Sequence, residues 1–129
     1  MYTVRHLGVS IAQSADVVYA FLSDPANFAQ WASGLGSLKQ VNGAWIAVTP
    51  EGPLPVRFSG RNPYGVVDHW VSPASGPEIH LPMRVIANGN GCEVIFTLFR
   101  QPDMDDRKFD ADAEWVRRDL ERLKRILEG

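Results

Sequence analysis

One feature near the C-terminus limits what this chain can become. Phe109, Ala113, Val116, Leu120, Leu123 and Leu127 recur at spacings of four and three through the charged run DAEWVRRDLERLKRILE. That period puts one apolar stripe along a long amphipathic helix, and Asp105 stands where an N-cap belongs. A lone helix cannot bury such a stripe, so the residues before it must supply a covering surface.

Those residues read as strands cut by turns. Leu7, Val9 and Ile11 alternate with polar or small neighbours in a first strand from Thr3 to Ile11. Ser14 and Asp16 then open a short helix over Ala15 to Leu22, and Pro25 opens another reaching Trp31, before the Gly34-Leu35-Gly36 loop. Asn42-Gly43 is a hairpin signal between Leu38–Val41 and Ala44–Thr49. Pro50-Glu51-Gly52-Pro53, Asn62-Pro63-Tyr64-Gly65, Ser72 to Pro77 and Asn88-Gly89-Asn90-Gly91 separate the remaining strands, among them YGVVDHWV. The spacing predicts an α+β architecture, with a seven-stranded curved antiparallel sheet wrapped around the long C-terminal helix and two short helices after strand one. At 129 residues the chain is expected to form one domain over residues 1–129.

The runs SADVVYAFLSDPANFAQW, GVVDHWV, GNGCEVIFTLFR and DAEWVRRDLERLKRILE together resemble the START-type helix-grip superfamily, also called SRPBCC. Within it the chain is most similar to the small bacterial polyketide cyclase/dehydratase-like branch. The resemblance spans essentially the whole chain. It implies a curved sheet gripping a helix around an apolar cavity, and it implies no one activity, because members include lipid carriers, hormone receptors, allergens and aromatases.

Strand alternation assigns the faces. Propagated through the turns, it puts Leu81, Met83, Val85 and Ala87 with Cys92, Val94, Phe96 and Leu98 on one side. Val56, Phe58, Val67, His69 and Val71 share that side, joined by Trp45, Ala47 and Thr49 if the Pro50 to Pro53 turn is tight. The predicted interior is apolar with one ionisable side chain, His69. Asp68 faces outward, so the adjacent pair forms no carboxylate–imidazole dyad, and Arg57 is its expected partner. Arg84 lies outside on this parity, or enters the cavity if a bulge shifts the register.

His69 supports two readings: a core histidine bonded to a nearby group, or a cavity histidine that fixes a ligand oxygen or moves a proton. Trp31, near the expected mouth, and Trp45 are either cavity walls or core packing. The candidate ligand-binding set is Trp31, Trp45, Thr49, Phe58, His69, Leu81, Met83 and Phe96, with Phe109, Ala113 and Val116 from the helix and Arg84 if the register shifts. Trp115, off the stripe, is a flank contact or part of an interface.

Other chemistries lack support in the residues. His6, His69 and His80 fall on separate strands without ligand spacing, so neither metal nor cofactor is expected. Cys92 has no partner cysteine and reads as an apolar filler. The glycine loops lack phosphate-loop context. Thirteen basic against fifteen acidic residues, without a basic stripe, argue against nucleic acid. No run is long enough to span a membrane, no leader is evident at the N-terminus, and a cytoplasmic location is expected. The leading expectation is binding of an apolar or aromatic small molecule between sheet and helix. The alternatives are a cyclase- or dehydratase-like enzyme with His69 as general acid/base, and a protein-interaction module. Ile86, Ile95 and Phe99 on the outer face allow a homodimer.

Overall fold

The computed structural model describes residues 1–33, 37–50 and 52–129. The Gly34-Leu35-Gly36 loop and Glu51 of the Pro50 to Pro53 turn lie outside the described residues. In chain order the elements are β1 (Val4–Ile11), α1 (Ala15–Leu22), a 3-10 turn (Pro25–Asn27) running into α2 (Phe28–Trp31), β2 (Ser37–Val41), β3 (Ala44–Thr49), β4 (Gly52–Phe58), β5 (His69–Val71), β6 (Ile79–Leu81), β7 (Met83–Asn88), β8 (Gly91–Phe99) and α3 (Asp106–Glu128).

Local chemistry sets the boundaries. The Ser14 hydroxyl accepts from Val17 N at 3.2 Å and starts α1, and the Asp105 carboxylate accepts from Lys108 N at 2.8 Å and starts α3. Asn42 and Gly43 both take positive φ, 53° and 82°, which suits the tight β2–β3 hairpin. The Asn62 side chain accepts from Tyr64 N (3.0 Å) and Val66 N (3.1 Å) in an Asx turn. The segment expected as a strand from Tyr64 to Val71 therefore pairs as one only over His69–Val71.

All pairings are antiparallel, but they form two sheets, of order β1-β8-β7 and β2-β3-β4-β5-β6, instead of one seven-stranded sheet. The cause is Pro82. It lacks the N–H a ladder needs and divides the expected sixth strand, so β6 stays on β5 while β7 moves to β8. The sheets meet at this break. Val67 N donates to Met83 O (3.1 Å), Val85 N to Gly65 O (2.9 Å) and Thr97 N to Pro82 O (3.0 Å). Gly65 makes the approach possible. Its φ is +71°, and a Cβ there would stand 2.3 Å from the Val85 carbonyl oxygen.

The register follows the expected parity: Val85 opposes Val94, Phe58 opposes His69, and Trp45 opposes Val56. The main core joins the inner faces of β1, β7 and β8 to α1, α2 and the buried stripe residues Phe109, Ala113, Leu120 and Leu123. A smaller cluster of Ala47, Val56 and Val71 lies under the second sheet. On the outer face Ile86 is exposed, while Ile95 and Phe99 are half-buried and Phe99 meets Tyr2 edge-on. No helix among the described residues is long and apolar enough to cross a membrane.

Candidate functional site

Asp68 and His69 do point to opposite sides, but Asp68 is not an exposed partner of Arg57. Both residues are buried, at 5% and 4% exposure. Asp68 Oδ1 accepts from Met83 N at 2.9 Å and from the Arg84 guanidinium, and Oδ2 lies 2.9 Å from His80 Nε2. The carboxylate thus satisfies the backbone N–H that follows Pro82, where the strand changes sheets. Burial alone would raise the Asp68 pKa, yet the bonds from His80 and Met83 and the Arg84 charge hold it below its ordinary value. Arg84 is accordingly neither freely solvated nor in the cavity. Arg57 instead pairs with Glu78 at 3.0 Å and lies 4.1 Å over the Trp70 ring, which stacks on His80.

His69 has the opposite surroundings. Phe28 lies edge-on 5.1 Å from its ring, Phe96 edge-on at 6.1 Å, and Phe58 stacked at 6.1 Å. No group among the described residues hydrogen-bonds its imidazole. No unbonded side-chain N or O among those residues is sealed from solvent, so these ring nitrogens stay open to the space beside them. Burial lowers the pKa to about 4, against a smaller opposing effect of Asp68, so the ring is neutral at physiological pH.

That space is a cavity of about 250 Å³ between β5, β6, β8, α2 and α3. Its inner walls are Phe28, Trp31, Leu81, Phe96 and Leu98, with Val116 above them. Its mouth carries Lys108, Asp112, Trp115 and Asp119 from α3. Asp119, at 7% exposure, accepts from Ser33 Oγ (2.7 Å) and Ser33 N (3.2 Å), while Trp115 Nε1 donates to the same hydroxyl at 2.7 Å. Burial raises the Asp119 pKa, and the Ser33 bonds and the Arg122 charge only partly offset it. Lys108 is paired with Asp112 at 2.6 Å.

Five predicted residues border this cavity: Trp31, His69, Leu81, Phe96 and Val116. Trp45 and Phe58 border a second hollow of about 550 Å³, whose edge includes the paired Arg57 and Glu78. Phe58 separates the two spaces, touching Trp45 on one side and Phe28 and His69 on the other. Although larger, the second hollow borders no unbonded buried imidazole, so the first is the candidate site. Met83, Phe109 and Ala113 are packed in the core, and the Thr49 hydroxyl donates to Gly52 O at 2.7 Å. The mouth residues Lys108, Asp112 and Asp119 are absent from the sequence prediction. They recur with Trp115 at helical spacing along the edge of the apolar stripe, which is the signal that marks them. Cys92 is buried, as a filler would be, and no group of three or more potential metal ligands converges among the described residues.

No protein-family model and no curated protein matches the sequence. Similarity appears among solved structures. An uncharacterised protein from Bacillus thuringiensis superposes with a TM-score of 0.78 at 14% identity, covering 98% of this chain and 100% of that one. DynU16, from the dynemicin biosynthetic locus, gives 0.74 at 18% identity over 98% of this chain and 47% of its own. Ara h 8.0201 gives 0.71 at 8% identity, covering 98% of each chain. At such identities the likeness is one of fold, and the fold is the helix-grip arrangement of sheet and long C-terminal helix.

Proposed function

We propose that this chain binds an apolar or aromatic small molecule in the cavity between the sheet and α3, with His69 as the group that orients it. The observation carrying this reading is the buried, neutral and unbonded imidazole beside an aromatic-walled space. Its ring nitrogens bond nothing among the described residues and reach the space beside them, where a guest hydroxyl or carbonyl can bond one in place of water. A ring-shaped guest also suits the walls formed by Phe28, Trp31 and Phe96. In a thermal-shift titration, 2-naphthol is expected to raise the melting temperature. His69→Leu should weaken its binding about tenfold, the worth of one hydrogen bond. No response to 2-naphthol or to a panel of aliphatic alcohols would refute the reading.

A second reading follows from the same ring. A neutral imidazole can take a proton from a guest, which suits the cyclase- or dehydratase-like chemistry that the sequence resemblance implies, and DynU16 belongs to a biosynthetic locus. Against it, Asp68 on the other face cannot orient the imidazole as a catalytic carboxylate would. Turnover of an aromatic β-keto compound that disappears in His69→Leu, without loss of binding, would favour catalysis.

A further inference from the structure

The cavity is asymmetric in charge. At its inner end stands only His69, which is neutral and offers one donor and one acceptor nitrogen. At its mouth stand two carboxylates, Asp112 and Asp119, against one cation, Lys108. Lys108 already lies 2.6 Å from Asp112, so Asp119 is the carboxylate that no cation bordering the space pairs with. Arg122 approaches Asp119 at 3.8 Å but does not border the cavity.

The polar donors at the mouth are already committed. Ser33 gives both its hydroxyl and its backbone N–H to Asp119, and Trp115 gives its indole N–H to Ser33. Acceptor capacity remains, because a carboxylate has about four lone-pair sites and two bonds occupy Asp119. An anionic guest would bring a second negative charge beside Asp119 in a space where water screens weakly. An ammonium would meet a free acceptor instead.

We infer that the cavity selects its guest by charge: it takes a ring-bearing amine, its ammonium at Asp119 and its ring against the Phe28, Trp31 and Phe96 walls, and it rejects the corresponding carboxylate. The inference rests on the small-molecule reading above and adds the chemical class. It extends to a hydroxyl or carbonyl on the ring, which would reach His69.

Three probes of one shape test it on the unaltered protein: 2-(aminomethyl)naphthalene, 2-naphthol and 2-naphthoate, titrated by calorimetry near neutral pH. The expected order is amine, then naphthol, then naphthoate, with at least about tenfold between the first and last. Added salt should weaken the amine and leave naphthol unchanged. Asp119→Asn should bring the amine down to the naphthol affinity while naphthol keeps its own. Naphthoate binding as tightly as the amine would overturn the charge inference and leave the cavity reading standing. Failure of all three to bind would sink the cavity reading, and the inference with it. If Asp119→Asn does not fold, the probe order and the salt effect in the unaltered protein still decide.

Discussion

Asp68 and His69 are neighbours in sequence and nearly equal in burial, yet the molecule treats their polar atoms in opposite ways. Three donors converge on Asp68, from His80, Met83 and Arg84, at the point where the chain passes from one sheet to the other. Nothing among the described residues bonds His69, and its nitrogens open into a cavity. A buried polar group bonded on every side by the protein holds the fold together, whereas one that faces an open space and bonds nothing in the protein adds little to the fold. The contrast separates a residue bound into the fold from one that the fold leaves free to meet a guest, without appeal to either residue's type.

The largest effect that would sharpen this comparison is expected at Asp68. Asp68→Ala orphans the Met83 N–H and strips His80 and Arg84 of their partner. Urea unfolding should show a loss of about 3 kcal/mol, toward the low end for a broken buried pair because His80 and Arg84 are each 42% exposed. A loss under about 1 kcal/mol would remove Asp68 from its structural role.

The pH dependence divides the pair next. His69 has a folded pKa of about 4 against an ordinary 6.5, so between those values the unfolded chain binds a proton that the folded one does not. Above pH 6.5 the neutral ring carries no titration penalty, and as pH falls toward 4 a loss of stability of up to about 3 kcal/mol builds up. The Asp68 pKa is also depressed, so its contribution is present above its ordinary 3.8 and disappears only at lower pH. Stability measured from pH 7 to 4 should therefore flatten in His69→Leu and keep its slope in Asp68→Asn. The reverse assignment would break the comparison.

Gly65→Ala tests the seam that Asp68 caps. A left-handed φ and a Cβ driven into the Val85 carbonyl predict a loss of about 2 kcal/mol, read by thermal unfolding. The smallest effect belongs to the cavity mouth. Trp115→Phe removes the bond from the exposed indole to the exposed Ser33 hydroxyl and should cost only about 0.5–1 kcal/mol in the same assay.

Much of this arrangement is legible in the residues because strand parity is discrete. The Asn88-Gly91 turn sets the β7–β8 register, and parity carried across Asn62-Pro63-Tyr64-Gly65 puts His69 on the side of Phe58. Parity gives a face, however, and says nothing of depth. Asp68 is on the predicted outer side and still buried, because Arg84 and His80 fold over it where the sheets join. Parity also runs straight through Leu81-Pro82-Met83 as one strand, although Pro82 is the signal of the break, since proline cannot serve a central ladder. Asp119 escaped for a different reason. Reading α3 as one apolar stripe assigns every charge beside it to solvent, whereas a residue on the stripe's edge meets whatever packs there, here Ser33 from the segment after α2.

The most direct test of the contrast is equilibrium unfolding of His69→Leu at pH 7. If the imidazole serves a guest and not the fold, exchanging it for an apolar side chain of similar size leaves the unfolding free energy unchanged or raises it. A fall comparable to the roughly 3 kcal/mol expected at Asp68 would show that His69 supports the fold as its neighbour does, and would contradict the account.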